Sequence, residues 1–397
     1  MRDLIRLIQR VSLTILFASM LSCGGGSSSD QPIIPTQPAY SYTPPASLTD
    51  GWAVDDLNQL GIDPTPLENL VNKIQQGVLG YRLIDSIAIA QHGRLVFEKR
   101  TRTELDLADG WANNQDIDLH ILNSVTKSVT SALIGIAIDR GEISGVDALV
   151  HDYFPHKQPV ANWTNDKANI RLENWLNMRS GYEWNEWDVN YLDSANLNSQ
   201  MLNATDPIQF LLDRPMASEP GSTFAYSTGI SYGLGRILQL ATGESAQDYL
   251  QTHLLAPLQI DKFDYWSLEG QLHTGSALYL TTRAMVKFGQ LYLDGGEWNG
   301  TRIISQQWVD QSTQQRVTLN SGGYGYQWWF SDFTAGNQTY HSFYGNGFGG
   351  QFIFVFPELD LVVVLTGHAY EDGQGAELNT RQVLEQDILP SFTGSAN

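Results

Sequence analysis

Ser124 and Lys127 stand three residues apart in Ser124-Val125-Thr126-Lys127, the sole S-x-x-K of the sequence. On a helix this spacing puts both side chains on one face, a hydroxyl beside an amine. Such a pair can do nucleophilic chemistry: the hydroxyl attacks a carbonyl, and the amine takes its proton if burial keeps it uncharged. Asn123 is placed to cap the helix, so Ser124 falls in the first turn, where unpaired N–H groups favour developing negative charge. Tyr226 lies in Gly221-Ser222-Thr223-Phe224-Ala225-Tyr226-Ser227-Thr228, a loop just ahead of an apolar helix. Its phenol can relay a proton between Ser124, Lys127 and a leaving group. Gly345-Asn346-Gly347-Phe348-Gly349-Gly350-Gln351 then runs into the strand FIFVF. Glycines there let backbone approach a ligand closely, and the N–H of Phe348 could pair with that of Ser124 as an oxyanion hole. Each element also has a bland reading: a solvated lysine at a helix start, a tyrosine packed at a seam, a Gly-rich hairpin turn.

The elements that must position these residues can be read from periodicity. Leu67, Leu70, Val71 and Ile74 mark a helix over 67–77, and a helix over 124–140 stops at Gly141, its apolar stripe being Val125, Val129, Leu133 and Ile136. Residues 86–90 and 95–98 flank a hairpin turn, and β character returns at 324–330, 351–356 and 361–366, ahead of a last helix over 375–389. Strands at both ends with a helix-and-loop region between them, about 142–275, predict an α/β (α+β) fold. One antiparallel sheet is built from the N- and C-terminal segments, with helices on its flanks and a mostly helical insertion.

Composition sets the outer bounds. The chain has 397 residues, 42% hydrophobic and 17% charged, enough for an enzyme-sized globule. Its formal charge of −20 repels phosphate backbones and anionic headgroups, which argues against a nucleic-acid partner. One cysteine excludes an intrachain disulfide and a cysteine-rich metal site. That cysteine, Cys23, follows a basic start (Arg2, Arg6, Arg10) and the apolar run 11–21, too short to span a bilayer. Residues 1–22 are therefore read as a signal peptide, Cys23 as a lipidation site and 23–52 as a Gly/Ser/Pro-rich tether, with a globular domain over 53–392. The expected location is the periplasmic face of a bacterial outer membrane or the cell surface, with membrane contact through the N-terminal lipid only.

The order of these motifs resembles that of the serine beta-lactamase and penicillin-binding protein superfamily, in its class C-like branch of esterases, D-aminopeptidases and 6-aminohexanoate-dimer hydrolases. Further matching segments are Leu172–Gly181, ending in Ser-Gly, then Leu280–Arg283 with Lys287–Tyr292, Gly295–Gly300, and Tyr324–Trp329. The resemblance implies acyl transfer to water on a small-molecule ester or amide, with no metal and no organic cofactor. Ser124 is the implied nucleophile, Lys127 its base, and Tyr226 the relay. Thr228 stands at the third position of the tyrosine motif, and Gly347, Phe348 and Asn346 lie in the strand-entry motif. That third motif departs from the family pattern: Gly345 stands where a cation would hold a substrate carboxylate, a contact worth about 1.5–3 kcal/mol. This weakens the readings of beta-lactamase and D-Ala-D-Ala carboxypeptidase, unless His341 replaces the cation.

Three further points remain open in the sequence. Gly229-Ile230-Ser231-Tyr232-Gly233 matches G-x-S-x-G, but Ser231 falls inside a helical apolar pattern, not on a strand-to-helix elbow. The chain could instead be a lipoprotein that keeps the fold as an inactive binding module. Tyr182 and Trp187, in an aromatic cluster after Ser180-Gly181, either grip an apolar acyl chain or pack the helical region.

Overall fold

The computed structural model describes residues 38–191, 193–370 and 378–394. The signal-peptide and Cys23 assignments lie outside the described residues. An eight-stranded antiparallel sheet organises the rest. Its strands are β1 (Ile84–Gln91), β2 (Arg94–Arg100), β3 (Val317–Thr318), β4 (Gly323–Tyr324), β5 (Trp329–Ala335), β6 (Gln338–Gly347), β7 (Gln351–Phe356) and β8 (Leu361–Gly367), in the order β3-β4-β5-β6-β7-β8-β1-β2. The N-terminal hairpin thus docks on the C-terminal meander, with Ala88 opposite Val364 across the β1–β8 join. Both strands of that join are buried along their whole length, so they read as continuous apolar runs rather than alternating ones.

One face of the sheet is covered by α1 (Thr65–Gln75) and the helical segment 380–392. Leu67, Leu70, Val71 and Ile74 of α1 form the buried stripe that the 3.6-residue period predicts. The other face packs on α2 (Thr126–Asp139) and α4 (Thr282–Leu293), and α3 (Thr228–Thr242) packs on α2. Most of α2 is buried all round, as expected of a helix between a sheet and a helical region. Leu133 and Ile134, both fully enclosed, contribute about 1.5–3 kcal/mol each. α3 is launched by Ser227, whose hydroxyl accepts from Ile230 N at 3.2 Å.

Two expectations need correction. The packed chain begins before residue 53: Tyr42 stacks on Phe97 at 6.1 Å, its hydroxyl donates to Val96 O at 2.9 Å, and Trp52 is buried. Proline-rich composition hides this because only a few aromatics do the docking. The strand expected over 324–330 is broken into β4 and β5. Gln327 takes a left-handed φ of +65° between them and is buried, its amide donating to Leu176 O at 2.8 Å and accepting from Ser231 Oγ at 2.6 Å. The polar demands of that side chain override the strand pattern.

Candidate active site

The α2 helix begins with a tight turn over Asn123–Val125. Asn123 makes no capping bond. It sits at φ +44°, and its amide donates to Phe348 O at 2.7 Å. The expected cap is instead a clasp that ties the start of α2 to the Gly-rich turn. Ser124 follows, partly exposed, and Lys127 lies one helical turn on at 1% exposure. Lys127 Nζ is 2.9 Å from Ser124 Oγ, 3.0 Å from Thr228 Oγ1 and 2.8 Å from Gly275 O. Burial lowers the pKa of this amine to about 8, with the Glu186 carboxylate opposing. The Tyr226 ring lies against it, Nζ 5.0 Å from the centroid. Burial raises the pKa of the Tyr226 phenol, and Glu186 adds to the rise, while the Ser124 hydroxyl lowers it.

The Gly-rich strand closes the other side. Tyr344 of β6 pairs with Trp329, the first residue of β5, so Gly345, Asn346 and Gly347 run past the end of that neighbour. At Gly347 a Cβ would come 2.2 Å from Leu122 O, so only glycine lets the strand approach α2 this closely. At Gly345 a Cβ would press on Val125 Cγ1 at 3.0 Å. The place of the absent cation is therefore taken up by packing against α2. His341 does not supply it: the residue is exposed, its Nδ1 2.5 Å from Asp332 Oδ1, and it lies about 13 Å back along the strand. Asn346 is half-buried on the opposite side of the strand from the two glycines. Phe348 presents its carbonyl to Asn123 and its ring to Tyr191 and Tyr370, at 5.9 and 5.5 Å.

The structure thus gathers Ser124, Lys127, Tyr226 and Thr228 around one amine, with Gly347 and Phe348 against the start of the same helix. Trp187 lies over this group. It is 49% exposed, stacks on Tyr226 at 5.1 Å and faces Trp329 at 6.2 Å. Tyr182 does not join them. It is buried in the helical region with its hydroxyl 3.3 Å from His151 Nε2 and its ring beside Lys167. Ser231 is enclosed within α3 and hydrogen-bonded to Gln327, where no substrate reaches it.

Sequence reasoning missed Glu186 and Gly275. Glu186 shares its stretch with Glu183 and Asp188, both exposed, and nothing in the sequence marks which of the three carboxylates is buried. Gly275 acts through its carbonyl, and a backbone contact leaves no mark in the sequence. Among the described residues no group of three or more His, Cys, Asp or Glu is arranged to hold a metal.

Comparison with known proteins decides the lineage. The profile of the family described as Beta-lactamase matches residues 72–387. The chain belongs to the beta-lactamase family. Within it, the 6-aminohexanoate-dimer hydrolase of Paenarthrobacter ureafaciens is 26% identical over 268 residues, a match covering 62% of this chain and 65% of that protein. Among solved structures, a D-stereospecific amidohydrolase from Streptomyces superposes with a TM-score of 0.60 at 15% identity, covering 83% of this chain and 99% of that one. A family VIII carboxylesterase does so with a TM-score of 0.57 at 16% identity, covering 77% and 91%. At such identities the structural likeness speaks to the fold, which is the beta-lactamase-like architecture that the motif order predicts.

Proposed function

We propose that this beta-lactamase family protein is a serine hydrolase that cleaves an ester or amide through an acyl-enzyme on Ser124. The observation that carries the reading is the buried Lys127 amine, 2.9 Å from Ser124 Oγ and against the Tyr226 ring. Ser124 Oγ attacks the carbonyl carbon, and its proton passes to Lys127. The carbonyl electron pair moves to oxygen, held by the N–H groups of Ser124 and Phe348. Tyr226 relays the proton to the leaving alcohol or amine as its bond to carbon breaks, and water then attacks the ester on Ser124 by the reverse relay. The names of the relatives, a dimer hydrolase, an amidohydrolase and a carboxylesterase, support this range of substrates.

Gly345 disfavours the beta-lactamase and D-Ala-D-Ala carboxypeptidase readings, since it offers no cation and even a Cβ there would press on Val125 Cγ1 at 3.0 Å. The test is covalent labelling by a fluorophosphonate probe, alongside turnover of p-nitrophenyl esters, nitrocefin and 6-aminohexanoate dimer. Wild type should be labelled and should turn over esters or the dimer faster than nitrocefin, and Ser124→Ala should be silent in both assays. Labelling lost in Ser231→Ala but kept in Ser124→Ala would defeat the assignment. A folded wild type that is never acylated would favour the inactive binding lipoprotein. Lipid anchoring at Cys23 is part of the proposal, supported by the basic start and short apolar run, and Cys23→Ser should release the protein from the membrane fraction.

A further inference from the structure

We propose that Glu186 is a positioning residue that, through Thr228, turns the lone pair of Lys127 toward Ser124. The inference rests on the acyl-enzyme reading above and adds a cause for its geometry. Glu186 is 1% exposed. Its Oε1 accepts from the Thr228 hydroxyl at 2.7 Å and the Tyr191 hydroxyl at 2.9 Å. Its Oε2 accepts from the Trp184 indole N–H at 2.8 Å and from Thr228 N at 2.7 Å. Four donors fill the roughly four lone-pair sites of a carboxylate, so the hydroxyl hydrogen of Thr228 is committed to Glu186.

The consequence falls on Lys127. Thr228 Oγ1, having given its hydrogen to Glu186, can only accept from Nζ at 3.0 Å. Gly275 O, at 2.8 Å, is an acceptor by nature. A neutral amine has two hydrogens and one lone pair. Both hydrogens are used on Thr228 and Gly275, and the lone pair is left for Ser124 Oγ at 2.9 Å. In the reactive step the Ser124 O–H proton moves onto that lone pair as the bond from Oγ to the carbonyl carbon forms. The ammonium so created lies within the field of the Glu186 carboxylate, which favours it.

Replacing the carboxylate reverses the order. Glutamine at 186 brings two donor hydrogens to a place where four donors already point. Turned toward Thr228, its amide makes the threonine accept, and the freed hydroxyl hydrogen then competes with Ser124 for the lysine lone pair. The other titratable groups around Lys127 are Tyr226 and His273. His273 is held neutral by burial, its pKa down at about 3, in a stack between Tyr232 and Trp266.

The test uses the full chain with p-nitrophenyl butyrate from pH 6 to 10. Glu186→Gln should lower the plateau kcat by about 10- to 100-fold with KM nearly unchanged. Its acid limb should also move to lower pH, because a charge that favours the protonated amine is gone. Thr228→Val should lose kcat likewise, and Thr228→Ser should restore it, which keeps the test open if Glu186→Gln fails to fold. Wild-type kcat and limb in Glu186→Gln, or a kcat loss with a lower Tm and an unmoved limb, would overturn the inference. So would Thr228→Ser failing as badly as Thr228→Val. If Ser124→Ala is still labelled by the fluorophosphonate, the acyl-enzyme reading falls instead, whatever Glu186 does.

Discussion

Lys127 Nζ lies 2.9 Å from Ser124 Oγ inside a site that excludes water from the amine but leaves the hydroxyl partly exposed. Burial is the larger influence on the amine and Glu186 the smaller, opposing one, and together they leave its pKa at about 8. Only the uncharged form can take the Ser124 proton. At pH 7 that form is about one-tenth of the total, and it becomes dominant above pH 8. The expected pH profile of kcat/KM for an activated ester therefore rises through about pH 8. A flat profile from pH 5 to 9 would remove Lys127 as the base.

The same amine links stability to pH. Below pH 8 both folded and unfolded chains carry the proton, so the cost of burying the charge is constant, about 3 kcal/mol for a pKa lowered from 10.5 to about 8. Between pH 8 and 10.5 the unfolded chain binds more protons at this position, and stability rises with pH. Lys127→Met removes that term. The Tm of Lys127→Met relative to wild type should be most favourable below pH 8 and should decline steadily toward pH 10.5, as read by calorimetry. A difference in Tm that does not vary with pH would mean that the wild-type amine is not titrating in this range.

How far the sequence could reach is clear from individual residues. Leu67, Leu70, Val71 and Ile74 announced α1, and the S-x-x-K spacing placed a hydroxyl beside an amine, because helical periodicity is a local property. The meeting of Tyr226 and Thr228 with Lys127, about a hundred residues away, came only from the likeness of motif order. Glu186 was hidden because a buried carboxylate and a solvated one look alike until their partners are known. Asn123 was read as a cap for a related reason: asparagine suits both an N-cap and a left-handed turn, and only Phe348, 225 residues away, decides between them.

Asn123 carries a separable prediction. Its amide holds Phe348 O at 2.7 Å, and its own backbone sits at φ +44°. Asn123→Gly keeps the backbone at ease but cuts the clasp, whereas Asn123→Ala cuts the clasp and adds about 1–2 kcal/mol of strain. Both should lose about 10- to 100-fold in kcat/KM, because the Phe348 N–H no longer has a fixed place. Only the alanine variant should show a clearly lower Tm. Wild-type kcat/KM in Asn123→Gly would show that the clasp does not position the turn.

Trp187 tests what the site accepts. The ring is 49% exposed yet stacks on Tyr226 at 5.1 Å and faces Trp329 at 6.2 Å, so a flat apolar surface lies directly over the relay phenol. About half of that ring is covered in the folded chain, and Trp187→Ala should cost about 1–3 kcal/mol of stability. A substrate chain laid against it would gain about 0.5–1.5 kcal/mol of aromatic contact. Trp187→Ala should therefore raise KM several-fold for aryl or long-chain acyl esters and leave acetate almost unaffected. Equal KM values across chain lengths in wild type and variant would show that the tryptophan shields Tyr226 and takes no part in recognising the substrate.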